Sequence, residues 1–67
     1  MLLQQGFRGD DVKKLQKQLN KIGNKLVVDG DFGNDTKNAV IDFQRKSRLC
    51  VDGIVGDKTW NYLFLKN

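Results

Sequence analysis

The sequence predicts an all-α fold, a small three-helix domain with two pseudo-repeated Asp-Gly turn and helix motifs. Three observations lead to this prediction. The chain has 67 residues, which is enough for one small domain. Apolar residues recur at helical spacing in three stretches. The pattern V-D-G-x-[FV]-G-x-x-T occurs at residues 28–36 and again at residues 51–59, and each copy ends where a helical stretch begins.

The composition is typical of a soluble globular chain. Apolar residues make up 39% and charged residues 30% of the sequence, and no run is long enough for a membrane span or a signal peptide. The net charge of +4 permits an anionic partner such as nucleic acid, a teichoic-acid-bearing wall or a membrane surface. With one cysteine and no histidine, an internal disulfide and the usual zinc sites are excluded. We expect Cys50 to be a buried thiol.

The first helix is predicted to follow an extended segment and a loop. Residues 2–6 are expected to be extended, and Phe7 is expected to anchor the loop between its two glycines. The apolar face of the helix is formed by Val12, Leu15, Leu19 and Ile22. Asp10 or Asp11 is a suitable N-cap, and Gly23 stands where a helix end needs a left-handed residue.

A basic stripe accompanies this helix. Lys13, Lys17 and Lys21 are four positions apart and lie on a face other than the apolar one. We interpret them as a solvated surface, in preference to a phosphate-binding one.

The other two helices are predicted from about Asn34 to Ser47 and from about Asp57 to Phe64. The second helix ends in basic residues, which suit a helix C-terminus. Its inward positions are Thr36, Ala39 or Val40, and Phe43. The third helix has an apolar face formed by Trp60, Leu63 and Phe64. Tyr62 points away from that face, and we expect it to be exposed.

Each copy of the repeated motif is interpreted as a turn that leads into a helix. Asp-Gly turns the chain, an apolar residue enters the core, and a second glycine, Gly33 or Gly56, opens the helix at its N-cap. We expect these second glycines to adopt conformations closed to β-branched side chains. The two turns are predicted to lie side by side and to leave a groove between neighbouring helix starts. That groove is the candidate site.

The aspartates of the motifs suggest two kinds of chemistry that their spacing does not support. Asp29, Asp31 and Asp35 follow a D-x-D-x-x-x-D spacing. Counted from the first of them, an EF-hand loop would need Gly at its sixth position, where Asn34 stands, and Glu at its twelfth. Carboxylate pairs such as Asp29 and Asp52 are the only plausible acid–base groups, and no nucleophile, metal-bound water or phosphate loop accompanies them. We predict no metal, no cofactor and no catalytic residue.

A small basic three-helix DNA-binding domain is the alternative, because three short helices with a basic surplus could form a helix-turn-helix unit. The predicted third helix argues against it, since Lys58 is its one basic residue and its aromatic residues look like core. A protein-interaction module with the same fold is a third, weaker interpretation.

Three patterns together resemble a known family. They are G-x-x-V-x-x-L-Q-x-x-L-N from Gly9 to Asn20, D-G-x-F-G-x-x-T-x-x-A-V-x-x-F-Q from Asp29 to Gln44, and V-D-G-x-V-G-x-x-T-W from Val51 to Trp60. From about residue 3 to residue 64, the chain resembles the three-helix peptidoglycan-binding domain that is appended to bacterial and phage cell-wall hydrolases, including endolysins. The resemblance implies a non-catalytic module that binds peptidoglycan and targets a hydrolase to murein.

The resemblance also implies which residues bind. They would be turn and helix-start residues: Asp29, Gly30, Asp31, Phe32, Gly33, Thr36, Gln44, Asp52, Gly53, Thr59 and Trp60. Two positions depart from the family pattern. Asn34 stands where the family often has proline, which should leave the second helix start less rigid, and Cys50 stands where a small or aliphatic residue is common.

The expected partners and setting follow from the same resemblance. They are peptidoglycan, through its glycan strand, its stem peptide or both, and a catalytic hydrolase domain in the same chain, with no nucleic acid and no membrane insertion. We expect residues 1–67 to form one monomeric domain, a module of a longer hydrolase, that acts outside the cell or in the cell wall although its sequence has no signal peptide.

Overall fold

The computed structural model describes residues 1–65 and contains three α-helices. They are α1 (Asp10–Lys21), α2 (Asn34–Lys46) and α3 (Asp57–Leu65). Within the described residues no strand forms, although Leu3 and Val55, and likewise Arg8 and Asp31, make isolated antiparallel bridges. The predicted all-α fold is confirmed, and α2 and α3 lie within one residue of their predicted bounds. The last two residues of the predicted 1–67 domain lie outside the described residues.

The core forms where the apolar faces of the helices meet the two motif turns. Its buried apolar side chains are Leu3, Val12, Leu15, Leu19, Phe32, Ala39, Val40, Phe43, Val55 and Leu63. Phe32 from the first motif and Val55 from the second are each at most 1% exposed, as predicted for the apolar residue of the motif. Burying a side chain of this size stabilises the fold by about 1.5–3 kcal/mol. The motif turns are therefore part of the core and cannot move independently of the helices.

The N-terminal segment, residues 3–9, pairs with both motif turns. Leu3 exchanges two backbone hydrogen bonds with Val55 of the second motif, of 2.9 and 2.7 Å. Farther along, the Gly6 N–H donates to the carbonyl of Phe32 in the first motif at 3.0 Å. The predicted extended start is correct only around Leu3, because residues 5 and 6 form a turn in which the Phe7 N–H donates to the Gln4 carbonyl at 3.0 Å. The segment connects the two motif turns and fixes them relative to each other.

The predicted cap of α1 is wrong by one residue. Neither Asp10 nor Asp11 is the N-cap; both lie in the first turn of the helix, and Gly9 caps it without a side-chain hydrogen bond. Gly9 takes this position because its φ of 138° suits glycine and its N–H donates to Gly30 at 2.9 Å. At the other end, Gly23 has the predicted left-handed backbone, with φ 114°.

Four side chains differ from the prediction. Ile22, assigned to the apolar face of the first helix, is 38% exposed because it lies just beyond the end of α1. The Phe7 side chain is 38% exposed, and the loop is held through the Phe7 carbonyl, which accepts a hydrogen bond from the first motif. Tyr62 is half-buried, with its ring centroid 6.0 Å from that of Phe43, because it covers the side of α2. Cys50 is exposed. Its neighbour Leu49 packs against the core, and adjacent residues of an extended chain point in opposite directions.

Candidate functional site

The turn of the first motif is fixed by a glutamine from α1. Gln16 is 1% exposed, and its Nε2 donates to Asp29 Oδ1 and Thr36 Oγ1, both at 3.1 Å. The same nitrogen lies 3.1 Å from the backbone carbonyl of Asp31. The Gln16 Oε1 accepts the Gly30 N–H at 2.9 Å. One buried amide therefore joins α1, the turn and the first turn of α2.

The second motif is built in the same way around a glutamine from α2. Gln44 is 1% exposed, and its Nε2 donates to Asp52 Oδ1 at 3.0 Å and to Thr59 Oγ1 at 3.2 Å. The same nitrogen lies 2.9 Å from the backbone carbonyl of Ile54. The Gln44 Oε1 accepts the Gly53 N–H at 2.9 Å. We call each of these arrangements, around Gln16 or Gln44, a glutamine clamp.

The clamp on the first motif was missed at the sequence level, where Gln44 was predicted to bind ligand and Gln16 was not selected. A signal for it exists, because V-x-x-[LF]-Q occurs at residues 12–16 and again at residues 40–44. The repeat is therefore longer than the turn and helix start, since it includes the end of the preceding apolar face. Within residues 1–65, no buried side-chain nitrogen or oxygen lacks a hydrogen-bond partner.

Glycine is required at the first glycine of each motif, and the expectation for the second glycine is wrong. Gly30 and Gly53 have φ of 76° and 73°, which are left-handed values. Gly33 is extended, with φ −101° and ψ −162°, and a Cβ added there or at Gly56 would meet nothing within 4 Å. The first glycine of each motif adopts the left-handed conformation because this directs its N–H toward the Oε1 of the clamp glutamine.

The first motif opens onto a cleft of about 440 Å³, which we call the first cleft. Its lining residues are Gln16, Leu26, Val27, Asp29, Asp31, Gly33, Asn34, Asp35 and Thr36. Asp29, Asp31 and Asp35 are exposed carboxylates. The cleft is therefore polar and acidic, although the protein as a whole is basic.

The second motif opens onto an equivalent cleft of about 300 Å³, the second cleft. Its lining residues are Leu49, Cys50, Asp52, Ile54, Gly56, Asp57, Lys58 and Thr59. Ile54 stands where the first motif has Asp31, and Lys58 stands where it has Asp35. The second cleft is consequently less acidic. Neither cleft is lined by residues of both motifs, so these are two separate clefts in place of the predicted groove between the motifs.

The predicted site residues fall into three groups by exposure. Asp29, Asp31 and Asp52 are exposed, and Gly33 and Trp60 are half-buried. The buried members are Gly30, Phe32, Thr36, Gln44, Gly53 and Thr59. Trp60 stacks on Phe64 with ring centroids 4.4 Å apart and lines neither of the two clefts. A ligand-binding role for these residues stays a prediction.

Asp29 is the acidic group whose titration the first clamp perturbs. The backbone N–H of Asp31 and then the side-chain amide of Gln16 donate to its carboxylate, and they hold its pKa below the ordinary value of 3.8. A lowered folded-state pKa means that the carboxylate stabilises the fold above that ordinary value. The contribution is lost as the pH falls through the folded-state pKa.

Replacing Asp29 with asparagine should therefore make the stability of the protein depend less on pH under acidic conditions. The amide keeps an oxygen that can accept the Asp31 N–H but no longer titrates. We expect the parent to be the more stable protein at neutral pH and the difference in melting temperature to shrink as the pH falls below 3.8. Thermal melts followed by circular dichroism across that range measure this. A constant difference between the two proteins would contradict the assignment.

Two further observations bear on the chemistry of the surface. Within residues 1–65, no group of three or more Asp, Glu, Cys or His side chains is arranged to hold a metal ion. None of the helices in this part of the chain has both the length and the apolar character needed to cross a membrane.

The described part of the chain is thus a small all-α domain in which two turns, each held by a buried glutamine, line open clefts. A family model described as "Putative peptidoglycan binding domain" matches residues 8–63. The chain belongs to this peptidoglycan-binding family, whose members are binding modules of cell-wall hydrolases.

Individual relatives agree with the family. The chain is 44% identical to the N-acetylmuramoyl-L-alanine amidase CwlM of Mycobacterium tuberculosis over 84% of its length, and 41% identical to the amidase CwlL of Bacillus licheniformis over 87%. It spans only 14% and 17% of those two proteins. Among solved structures, the endolysin of Burkholderia AP3 phage superposes with a TM-score of 0.95 at 42% identity, over all of this chain and 26% of the endolysin. The SleB N-terminal domain also gives 0.95, at 40% identity, covering 98% of this chain and 92% of that one.

Proposed function

We propose that this domain binds peptidoglycan without cleaving it and brings a catalytic hydrolase domain of the same longer protein to murein. Membership of the peptidoglycan-binding family supports the binding role. The small share of each amidase that the chain matches supports a separate catalytic domain, because the rest of those proteins is available for it. On this proposal residues 1–67 are one monomeric module that works outside the cell or in the wall.

The observation that carries the proposal is the rigidity of the two clefts. Each cleft is lined by a turn whose polar groups are fixed by a buried glutamine, so little conformational freedom is lost when a ligand binds. We propose that the exposed residues Asp29, Asp31 and Asp52 contact the ligand. Gly30, Phe32, Gly33, Gln44 and Gly53 then shape the two turns, and Trp60 packs in the first turn of α3.

The basic residues have a different role in the proposal. Lys13, Lys17 and Lys21 on α1 are exposed, and none of them makes an ion pair within residues 1–65. Charges in this position attract an anionic wall over a distance comparable to the Debye length, about 10 Å at 0.1 M salt. They speed the approach and contribute little once the ligand sits in a cleft.

Binding to purified sacculi across a salt series tests the proposal. Replacing Asp31 and Asp35 together with alanine should lower retention about tenfold, because charge-assisted hydrogen bonds in the first cleft are lost. Replacing Lys13, Lys17 and Lys21 together with glutamine should slow association and leave retention nearly unchanged. The measurement is the bound fraction at each salt concentration, with circular dichroism to show that every variant is folded.

A charge-matched control separates the cleft from the overall charge. Replacing Asp11 and Asp42 with alanine changes the net charge by the same amount but touches neither cleft, and it should bind like the parent. A nonspecific polyanion binder would behave differently, since six to ten phosphate contacts lose about a thousandfold or more in affinity between about 50 and 200 mM salt. Loss of binding in the lysine variant alone, with elution of the parent at modest salt, would overturn the proposal.

A further inference from the structure

Each cleft contains a buried threonine whose hydroxyl hydrogen is unused. Thr36 and Thr59 are the third residues of α2 and α3, are 2% and 7% exposed, and line the first and second cleft. Each hydroxyl oxygen accepts a hydrogen bond from its clamp glutamine, at 3.1 and 3.2 Å. Neither hydroxyl donates to any atom of residues 1–65. Because a hydroxyl can donate once as well as accept, each cleft retains a donor without an acceptor.

An unused acceptor accompanies each of these donors. The Oδ1 atoms of Asp29 and Asp52 accept the N–H groups of Asp31 and Ile54, both at 2.9 Å, and bond the clamp glutamines as well. The second carboxylate oxygen, Oδ2, has no partner within residues 1–65, and both carboxylates are exposed in their clefts. A carboxylate accepts through both oxygens, so the free one is available to a ligand N–H.

The clamp also keeps the donor and the acceptor close together. In the first cleft, Thr36 Oγ1 and Asp29 Oδ1 both lie 3.1 Å from the Gln16 Nε2 and so are no farther apart than twice that distance. In the second cleft, Thr59 Oγ1 and Asp52 Oδ1 are 3.2 and 3.0 Å from the Gln44 Nε2. The unused Oδ2 belongs to the same carboxylate as Oδ1, so a ligand amide, whose C=O accepts and whose N–H donates, has a partner for each of its groups.

We infer that the domain carries two separate amide-recognition subsites, and that the second cleft is a ligand site in its own right. In each subsite the threonine hydroxyl donates to the ligand carbonyl, and the aspartate Oδ2 accepts the ligand N–H. This inference rests on the proposed function and specifies the ligand groups, which are the acetamido or peptide amides of the wall polymer.

The two subsites differ in what may flank the amide. The carboxylates of Asp31 and Asp35 make the first cleft complementary to an amide beside an ammonium group. Ile54 and Lys58 occupy the equivalent positions in the second cleft. That cleft is complementary to an amide beside a methyl group and a carboxylate, as at the end of an alanine-terminated peptide. The domain therefore binds two chemically distinct parts of one ligand, one in each cleft.

Titration with a soluble disaccharide–peptide fragment of peptidoglycan that ends in alanine tests this inference. In ¹⁵N-resolved spectra, the amides of Gly53 and Ile54 should shift together with those of the first motif. Thr59→Val removes the hydroxyl at nearly constant volume and should weaken binding about three- to tenfold, the usual effect of one hydrogen bond. Thr59→Ser keeps the hydroxyl and should bind like the parent.

A second variant avoids the clamp altogether. Lys58 is exposed and bonds no part of the clamp, so Lys58→Ala should remain folded and should weaken binding of the alanine-terminated fragment. The same variant should bind a fragment lacking the terminal carboxylate as the parent does. Thermal melts of each variant establish that it is folded at the temperature of the titration.

The outcomes separate this inference from the proposed function. If the parent binds the fragment with shifts in the first motif alone, and Thr59→Val and Lys58→Ala bind like the parent, the second subsite does not exist and Asp52 does not contact the ligand. The proposed binding of peptidoglycan, through the first cleft, would still stand. Equal weakening by Thr59→Val and Thr59→Ser would overturn the role of the hydroxyl. Failure of the parent to bind both the fragment and sacculi would overturn the proposed function itself.

Discussion

Replacing Gln44 with alanine should lower the free energy of unfolding by about 3 kcal/mol or more. The change removes the acceptor of the Gly53 N–H, which is then buried without a partner at a cost of about 1–3 kcal/mol. It also leaves a cavity where a fully enclosed side chain was. A domain of this length has a total stability of roughly 3–10 kcal/mol, so the variant should retain at most about 7 kcal/mol and should unfold at a lower urea concentration than the parent.

Gln18→Ala is the matched control, because it removes a glutamine of similar burial that makes no side-chain hydrogen bond within residues 1–65. Urea unfolding followed by circular dichroism gives both free energies. Gln16→Ala should have a similar but slightly smaller effect, since the two clamps share their other bonds but the Gln44 Oε1 also accepts the Asp52 N–H, at 3.2 Å. If Gln44→Ala and Gln18→Ala differ by less than about 1 kcal/mol, the clamp does not stabilise the fold beyond its packing.

Replacing Gly30 with alanine is the second change for which we expect a large effect. The left-handed backbone, with φ 76°, costs an L residue about 1–2 kcal/mol. The new Cβ would also lie 3.1 Å from the backbone carbonyl of Gly9. That carbonyl is held in place because it accepts the Lys13 N–H of α1 and because the Gly9 N–H donates to the Gly30 carbonyl. We expect a total loss of about 2–3 kcal/mol, read as a fall in melting temperature.

The other motif glycines provide a graded comparison. Gly53→Ala meets the flexible side chain of Lys37 at 3.2 Å, which can shift, so its cost should approach that of the backbone strain alone, about 1–2 kcal/mol. Gly33→Ala and Gly56→Ala meet nothing within 4 Å and should change stability by less than about 1 kcal/mol. If alanine lowered the stability equally at all four glycines, the left-handed backbone would not be the reason why glycine is required at Gly30 and Gly53.

The sequence predicted the helices well because their signals are local. Leu15 and Leu19 lie on one face of a 3.6-residue repeat, and Gly23 stops the helix, so no tertiary information is needed. The apolar residue of each motif was assigned to the core for the same kind of reason, and Phe32 and Val55 are buried.

The site was predicted less well because it depends on contacts between elements. A buried glutamine has no composition signal of its own, and the partners of Gln16 lie from 13 to 20 positions later in the chain. The single shared groove was predicted without knowledge of the N-terminal segment, which pairs with both turns through Leu3 and Phe7. Cys50 was misplaced because its direction depends on which neighbour, Leu49 or Val51, packs inward.

The clamps and the N-terminal pairing differ in the length of chain that each must close. The hydrogen bonds of Gln16 and Gln44 join residues 8 to 20 positions apart, whereas Leu3 and Val55 come from nearly opposite ends of the chain. Each doubling of the number of residues in a closed loop adds about 0.6 kcal/mol to the entropic cost of closing it. Bringing a clamp glutamine to its partners therefore costs about 1 kcal/mol less than bringing Leu3 to Val55. Each turn can thus form its hydrogen bonds with residues that are close to it in the sequence. Joining the two ends of the chain is the entropically most demanding step in assembling the domain.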